Sequence, residues 1–496
     1  MIAEDKPTVM IIGAGLGGLL LGVLLNRAGI SFYIYEKATV IQPIGSAIPI
    51  GGQILPLLAQ LGLDREFFEI SKPLTEVRVY NDKRELDYIL DFTELEQRTG
   101  YKDHMVPRPA LYDLLIRQIP PQRLHFGKRL VTKLEANDGI IIRMSDGSTY
   151  KGDILVGADG AYSTVRHRLL DRLKNENRLC PADREPLPFR TVCLAGQTQT
   201  LDPVEFPQIR NALCDFAIVC DKRPCTISIV TTPNNTITWM VVRHFTRTAS
   251  KDAESQRLKN AENTGWGPLA LQAMCEEVRG FSIPGGNRPM TLGDLIDRTP
   301  KELMSRVLLE EKVFETWYNG RTVLLGDAAH KINPLGGRGA VCAMKDAVAL
   351  ANLIYTLPIT PSSSPSSLKL ITNIFEEYRA ERYPASMEEL QFSQALSRNG
   401  SDRSFSEAVT WFVVRQIVPT RLWRQVFALN RRTHVRPLVA YLPLPVPLVL
   451  ERTATTESGR ERKKAAAAAV VRPVIQNSFA RARDAFERRK RANKEP

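Results

Sequence analysis

The residues best suited to chemistry lie in three short stretches, and all three suit a ligand built from phosphates and sugar hydroxyls. Gly13-Ala14-Gly15-Leu16-Gly17-Gly18 has the spacing GxGxxG, and Glu36 follows 18 residues after Gly18. Gly13 permits a tight turn, Gly15 lets the backbone approach a pyrophosphate, and Gly18 lets a helix pack closely on a strand. The Glu36 carboxylate can accept hydrogen bonds from ribose hydroxyls and repels a 2′-phosphate, so these residues suit FAD or NAD rather than NADP. The second stretch runs from Asp153 to Arg166 and holds Ala158-Asp159-Gly160 ahead of Ser163. The third, GDAAHKINPLGGRGAVCAMKDA at 326–347, sets Asp327 after an apolar run. A glycine-rich loop from Pro334 to Gly339 follows, and Ala340 opens another apolar run.

Such residues need strands and helices that meet at the ligand. Val9–Ile12 reads as a buried strand, 19–27 as a helix ended by Gly29, and 30–35 as a second strand closed by Glu36. Residues 323–325 read as a strand with Asp327 at its carboxyl end, where open α/β sheets bind ligands. Asp327 also suits a plain N-cap. Ala340–Tyr355 has helical spacing, and its N-terminus favours negative charge by about 0.3–2 kcal/mol. His330 reads as a loop brace before a base, and Cys342 as a small buried helix residue.

A second GxGxxG, which a reductase with two dinucleotide domains would carry, does not occur. The three segments, in this order, resemble the FAD-dependent aromatic hydroxylase class of monooxygenases, with the para-hydroxybenzoate hydroxylase-like fold. The resemblance runs from about residue 8 to about residue 355. It is similar in detail to fungal FAD-dependent monooxygenases and epoxidases of secondary metabolism. It implies FAD as cofactor, NAD(P)H as co-substrate, and O2. The implied reaction is hydroxylation or epoxidation of an apolar or aromatic small molecule through a flavin C4a-hydroperoxide. Arg108, in Val106-Pro107-Arg108-Pro109-Ala110-Leu111, stands where the family contacts FAD near its phosphates and ribityl chain. Asp159 stands in the signature thought to serve both FAD and NAD(P)H. Asp327 would hold the ribityl chain, and the loop through Gly337 would lie against the isoalloxazine. The helix head at Ala340 would face the pyrimidine edge, and Pro334 the C4a side. Many relatives have glutamine at Arg338, asparagine at Val341 and an acid at Lys345. Arg338 therefore has two readings, a cation near the flavin or its entrance, or a side chain in solvent. The paired-tryptophan motif WxWxIP of flavin halogenases is missing. A reductase or desaturase of the same fold, or a catalytically lapsed membrane-associated flavoprotein, is the alternative.

The expected fold class is α/β. It comprises a Rossmann-type FAD-binding domain (1–165 and 305–398), an inserted antiparallel β-sheet substrate domain (166–304), a helical, apolar region (399–450) and a basic tail (451–496). The inserted strands are expected at 191–194, 216–220, 226–230 and 236–242, with Trp239 and Arg190 as candidates to touch substrate. Helices are expected at 368–379 and 382–398. The 496 residues carry a net charge of +13, and 451–496 hold 13 Lys/Arg against 6 Asp/Glu, so about half the excess lies in the tail. A mildly basic body does not point to nucleic acid. The tail suits peripheral contact with an anionic intracellular membrane. Seven cysteines without CxxC spacing point to free thiols in a reducing, cytoplasmic setting. Glycines interrupt the apolar run 9–25, and Glu4 and Asp5 precede it, which argues against a signal or membrane segment.

Overall fold

Val9–Ile12 is apolar throughout and wholly buried, and such a strand needs neighbours on both edges and cover on both faces. In the computed structural model it pairs in parallel with Phe32–Tyr35 on one side and Ile154–Gly157 on the other. Thr322–Leu324 continues the parallel sheet beyond Ile154–Gly157, Leu124–His125 extends the opposite edge, and Tyr318–Asn319 closes the first edge antiparallel. The helices Leu16–Arg27 and Gly339–Tyr355 pack on this sheet and on each other. The structure describes residues 6–443 apart from 41–46, 94–95, 97–99, 137, 186–188, 221–224, 245–267, 335–336, 358–364 and 399–437. The basic tail and most of the region 399–450 therefore lie outside the described residues.

A seven-stranded sheet forms the second layer, in the order Met304–Glu310, Phe189–Gln197, Thr236–His244, Cys225–Thr232, Phe216–Cys220, Glu76–Tyr80, Leu86–Asp91. The four strands expected here are present: Phe216–Cys220 matches its expected span, Cys225–Thr232 and Thr236–His244 run two or three residues longer, and Phe189–Gln197, at 9 residues, is more than twice its expected length. Two further strands come from 76–91, ahead of the insertion, and Phe216–Cys220 pairs with Glu76–Tyr80 in parallel. Strand alternation gives this sheet two faces. Val192, Leu194, Trp239 and Val241 join the cluster under helix Pro268–Val278, while Cys193, Ala195, Met240 and Val242 look the other way. Val230, on that second side by register, packs with Val77, Val79 and Met105. Met105 lies in Asp103–Pro107, the strand partner of Ala47–Ile50. The second face thus turns toward the first layer.

The two helices expected at 368–379 and 382–398 are one helix, Pro365–Arg398, with Pro384 inside it. Proline removes one intrahelical bond. Phe375, Tyr378, Arg382, Ser386, Glu389, Leu390 and Ser393 are all buried along one side, and this tertiary packing carries the helix through the defect. After the gap, 438–443 returns to the first layer. Gln60 Nε2 donates to the carbonyls of Val439 at 3.3 Å and Pro443 at 3.2 Å, and Tyr441 Oη donates to Leu24 O at 2.9 Å. No helix among the described residues is long and apolar enough to cross a membrane.

The fingerprint glycines close the first layer tightly. A Cβ on Gly18 would stand 2.2 Å from the carbonyl oxygen of Gly13. Gly18→Ala is expected to cost about 1–3 kcal/mol of stability by overpacking. Urea denaturation reads it, and an unchanged midpoint would contradict the contact.

Candidate active site

Both helix N-termini that the sequence offers to a ligand are left uncapped. Leu16–Arg27 starts from Gly15 and Gly339–Tyr355 from Arg338, with neither a side-chain cap nor an acidic residue in the first turn. Their leading N–H groups remain available to an anion or a polarised carbonyl. Thr164–Asn175 differs. Asp159 accepts from Ser163 Oγ at 2.5 Å, from Thr164 N at 2.6 Å and from Val165 N at 3.1 Å, and Ser163 Oγ accepts from Arg166 N at 2.9 Å. Asp159 is thereby engaged as the cap of its own helix.

Beside the first helix, nothing lies within 4 Å of where a Cβ on Gly15 would stand. Glu36 borders this space at the end of Phe32–Tyr35. Its Oε2 accepts from Ala14 N and its Oε1 from Ala38 N, both at 2.9 Å, which fixes the carboxylate beside the glycine turn. Each oxygen keeps a lone pair for a ribose hydroxyl. Asp327 is exposed in the single turn Gly326–Ala328, and its Oδ1 lies 4.0 Å from where a Cβ on Gly339 would stand. Gly337, at φ +62°, donates to Pro334 O at 2.8 Å, and a Cβ on it would strike Pro49 Cγ at 2.8 Å. Gly337 therefore rests its backbone on the strand Ala47–Ile50, and Pro334 and Ala340 are half-buried. Gly13, Glu36, Asp159 and Asp327 follow carboxyl ends of strands in the parallel sheet, with Gly15 and Gly18 just after Gly13, whereas Pro334, Gly337 and Ala340 come after His330–Lys331, which pairs with Lys312–Val313. Arg108 comes from elsewhere, exposed as the first residue of Arg108–Ile116 after Asp103–Pro107. A glycine cradle, free helix N–H groups and two carboxylates form a donor and acceptor set that fits FAD.

Side chains that the local motifs do not mark hold this arrangement. Arg166 is buried under the third stretch, where it donates to Ala328 O at 3.1 Å and Ala161 O at 2.7 Å and stacks 4.4 Å over Phe314. Asp346 is fully buried. Its Oδ2 accepts from Gly326 N at 3.1 Å and meets His330 Nε2 at 2.6 Å, and its Oδ1 accepts from Arg382 Nε at 2.8 Å. Burial alone would push this carboxyl up; the His330 and Arg382 charges and their hydrogen bonds outweigh it and hold the group at about 2. His330 is thus a brace, as its loop position suggests. Asp346 is within the quoted motif, but its partner Arg382 is 36 residues away and no local pattern links them.

The three departures can be placed. Arg338 is not in solvent: it is 8% exposed, its Nη1 donates to Gln53 Oε1 at 3.2 Å and stands 3.6 Å from Glu389 Oε1, and its guanidinium lies 5.6 Å from the Phe392 ring centre. Val341 is plain core. Lys345 is buried, and burial pulls its ammonium down to about 8 against the raising influence of Cys342 and Glu389, with Arg382 and Arg338 lowering it further. Burial pushes the Cys342 thiol up to about 12, so it stays protonated and inert. Trp239 is fully buried on the far face of the seven-stranded sheet, donating to Thr299 Oγ1 at 3.0 Å, and is core. The Arg190 side chain lies outside the described residues.

Known proteins share these features. The model of the family described as FAD binding domain matches residues 6–199 and 293–388. The FAD-dependent monooxygenase paxM of Penicillium paxilli is 29% identical over 384 residues, 76% of this chain and 75% of that protein. The FAD-dependent monooxygenase atmM of Aspergillus flavus is 26% identical over 455 residues, 90% and 88% of the two chains. Among solved structures, Klebsiella pneumoniae HpxO with FAD and uric acid superposes with a TM-score of 0.63 at 20% identity, over 85% of this chain and 96% of that one. Pseudomonas aeruginosa PqsL with 2-aminobenzoylacetate gives 0.57 at 20% identity, over 86% and 100%.

Asp346→Asn removes a buried charge that three partners share and is expected to cost about 3–5 kcal/mol. In the parent protein the folded pKa of Asp346, about 2, lies below its ordinary 3.8. The stability that it contributes is therefore complete above about pH 4 and lost as pH falls toward about 2. Denaturant titrations of both proteins across this range should show the acid-side slope reduced in the variant. An unreduced slope would contradict the assignment.

Proposed function

The chain belongs to the FAD binding domain family and is an FAD-dependent monooxygenase; from that premise we propose that it inserts one oxygen atom of O2 into an apolar or aromatic small molecule by hydroxylation or epoxidation, with NAD(P)H as reductant. The observation that carries the cofactor reading is the pair of uncapped helix N-termini, one beside the open space at Gly15 and the other directly after Gly337 and Arg338. Bound FAD, once reduced, supplies the activation of O2. The chain supplies position, dryness and electrostatics.

Gly13–Gly18 takes the pyrophosphate, Glu36 the adenosine ribose and Asp327 the ribityl hydroxyls. Arg108, at the start of the helix Arg108–Ile116, takes part in holding the phosphates. Asp159 acts through the helix that it caps, which sets Arg166 under the Asp327 turn. The helix head at Gly339 and Ala340 favours negative charge on the pyrimidine edge, and Pro334 borders the oxygen-reacting side. No side chain is assigned as acid or base.

The substrate would lie against the inward face of the seven-stranded sheet, near Ala195, Met240 and Val242. These side chains exclude water from the reacting centre. Thr191 Oγ1, Gln197 Oε1 and Thr238 Oγ1 stand on the same face by strand alternation and have no hydrogen-bond partner among the described residues. That favours an apolar body carrying at least one polar group. The uric acid of HpxO and the 2-aminobenzoylacetate of PqsL are small molecules of this general size.

Purified protein is expected to be yellow with bound FAD. NAD(P)H oxidation should rise when a suitable apolar or aromatic compound is added, with a product heavier by one oxygen atom. Glu36→Ala and Asp327→Ala should each weaken FAD binding by about ten-fold or more, as loss of a charge-assisted hydrogen bond requires. Unchanged flavin content in both variants would remove these residues from the site, and protein that never takes up FAD would end the reading.

A further inference from the structure

Helix Pro365–Arg398 reaches both ends of the loop assigned to the flavin. Ser393 Oγ donates to Asn333 O at 2.8 Å, directly before Pro334. One helical turn earlier, Glu389 Oε1 stands 3.6 Å from the guanidinium of Arg338, directly after Gly337. Glu389 and Ser393 are buried, as are Asn333 and Arg338. On its other side the loop meets Pro49 through Gly337 and Gln53 through Arg338. The loop is thus held between one turn of a distant helix and the segment 49–53.

We propose that Glu389 and Ser393 are positioning residues for the flavin: they pin Arg338 and Asn333, and so set where Pro334 and Gly337 stand against the isoalloxazine. The inference rests on the reading of that loop as the flavin's contact. Glu389 has the larger role because two cations depend on it. It pairs with Arg338, and it favours the charged form of Lys345, which Arg338 and Arg382 oppose. Without it, the buried Arg338 guanidinium loses a carboxylate that it is paired with, and the backbone at Gly337 and Arg338 shifts in response. The guanidinium is turned to Gln53 and Glu389, and its charge acts on the position of that backbone.

The test uses the full chain loaded with FAD and compares Glu389→Gln with the double variant Arg338→Gln/Glu389→Gln. Removing both partners has opposite effects on Lys345, since Glu389 raises and Arg338 lowers its ammonium pKa. Glu389→Gln is expected to bind FAD about ten-fold more weakly and to shift the visible absorption bands of bound flavin. The double variant should return to within about three-fold of the parent with its spectrum restored, because both charges of the pair are removed together. If the parent takes up no FAD, the cofactor reading fails and this inference with it. If the parent binds FAD and Glu389→Gln matches it in affinity and spectrum, the positioning role is overturned while the cofactor reading stands. A double variant no better than the single one overturns it equally, since Glu389 would then be acting through the fold alone. Should Glu389→Gln not fold, Ser393→Ala decides: about three-fold weaker FAD binding with a shifted flavin spectrum supports the pin, and parent-like values overturn it.

Discussion

The buried carboxylate of Asp346 is the interaction on which the site depends. It joins the turn after strand Thr322–Leu324, the residue His330 and the helix Pro365–Arg398 at one point. A lone ionised carboxylate in such a place would take up a proton. This one keeps its charge because a backbone N–H, an imidazole and a guanidinium converge on two oxygens. The geometry of the turn at Gly326 follows, and with it the direction of Asp327 one residue on.

A division between capped and uncapped helices follows the same logic. Thr164–Asn175 is capped by its own Ser163 and by Asp159, so its N-terminus is internally satisfied. Leu16–Arg27 and Gly339–Tyr355 are not; the first begins at the carboxyl end of Val9–Ile12, and the second packs on the turn Gly326–Ala328. Unsatisfied N–H groups at the end of a buried helix call for a partner. One extended ligand with a phosphate part and a ring part can satisfy both ends.

Most of the first layer was legible because its signals are local. GxGxxG, the apolar strands on either side and Glu36 fall within 30 residues, and each has a steric or electrostatic reason. The inserted strands were legible from alternation and turn residues. What was not legible is what depends on distant partners. Glu76–Tyr80 and Leu86–Asp91 join the second sheet through pairing with a strand some 140 residues later. Trp239 was ambiguous between core and pocket because strand alternation gives two faces but does not say which one a ligand shares. Arg338 is the sharpest case. A cation in a flavin loop suggests a role toward the flavin, yet its side chain turns to Gln53 and Glu389, which no spacing rule connects to it.

The long C-terminal helix shows why such distant polar contacts persist. Tyr378, Arg382, Glu389 and Ser393 follow one another at helical spacing, and each reaches a single atom or group of the segment 324–346. An all-apolar interface of the same area would be at least as stable, since buried polar pairs offset little more than their own desolvation. Apolar packing, however, tolerates sliding, and a slip of one turn moves a helix about 5.4 Å. Here the same slip would strand a tyrosine hydroxyl, a guanidinium, a carboxylate and a serine hydroxyl in a dry interface. Register is thereby fixed along 378–393. Pro384 removes one backbone bond inside this helix, which gives these side-chain contacts a larger share in keeping its two halves in phase.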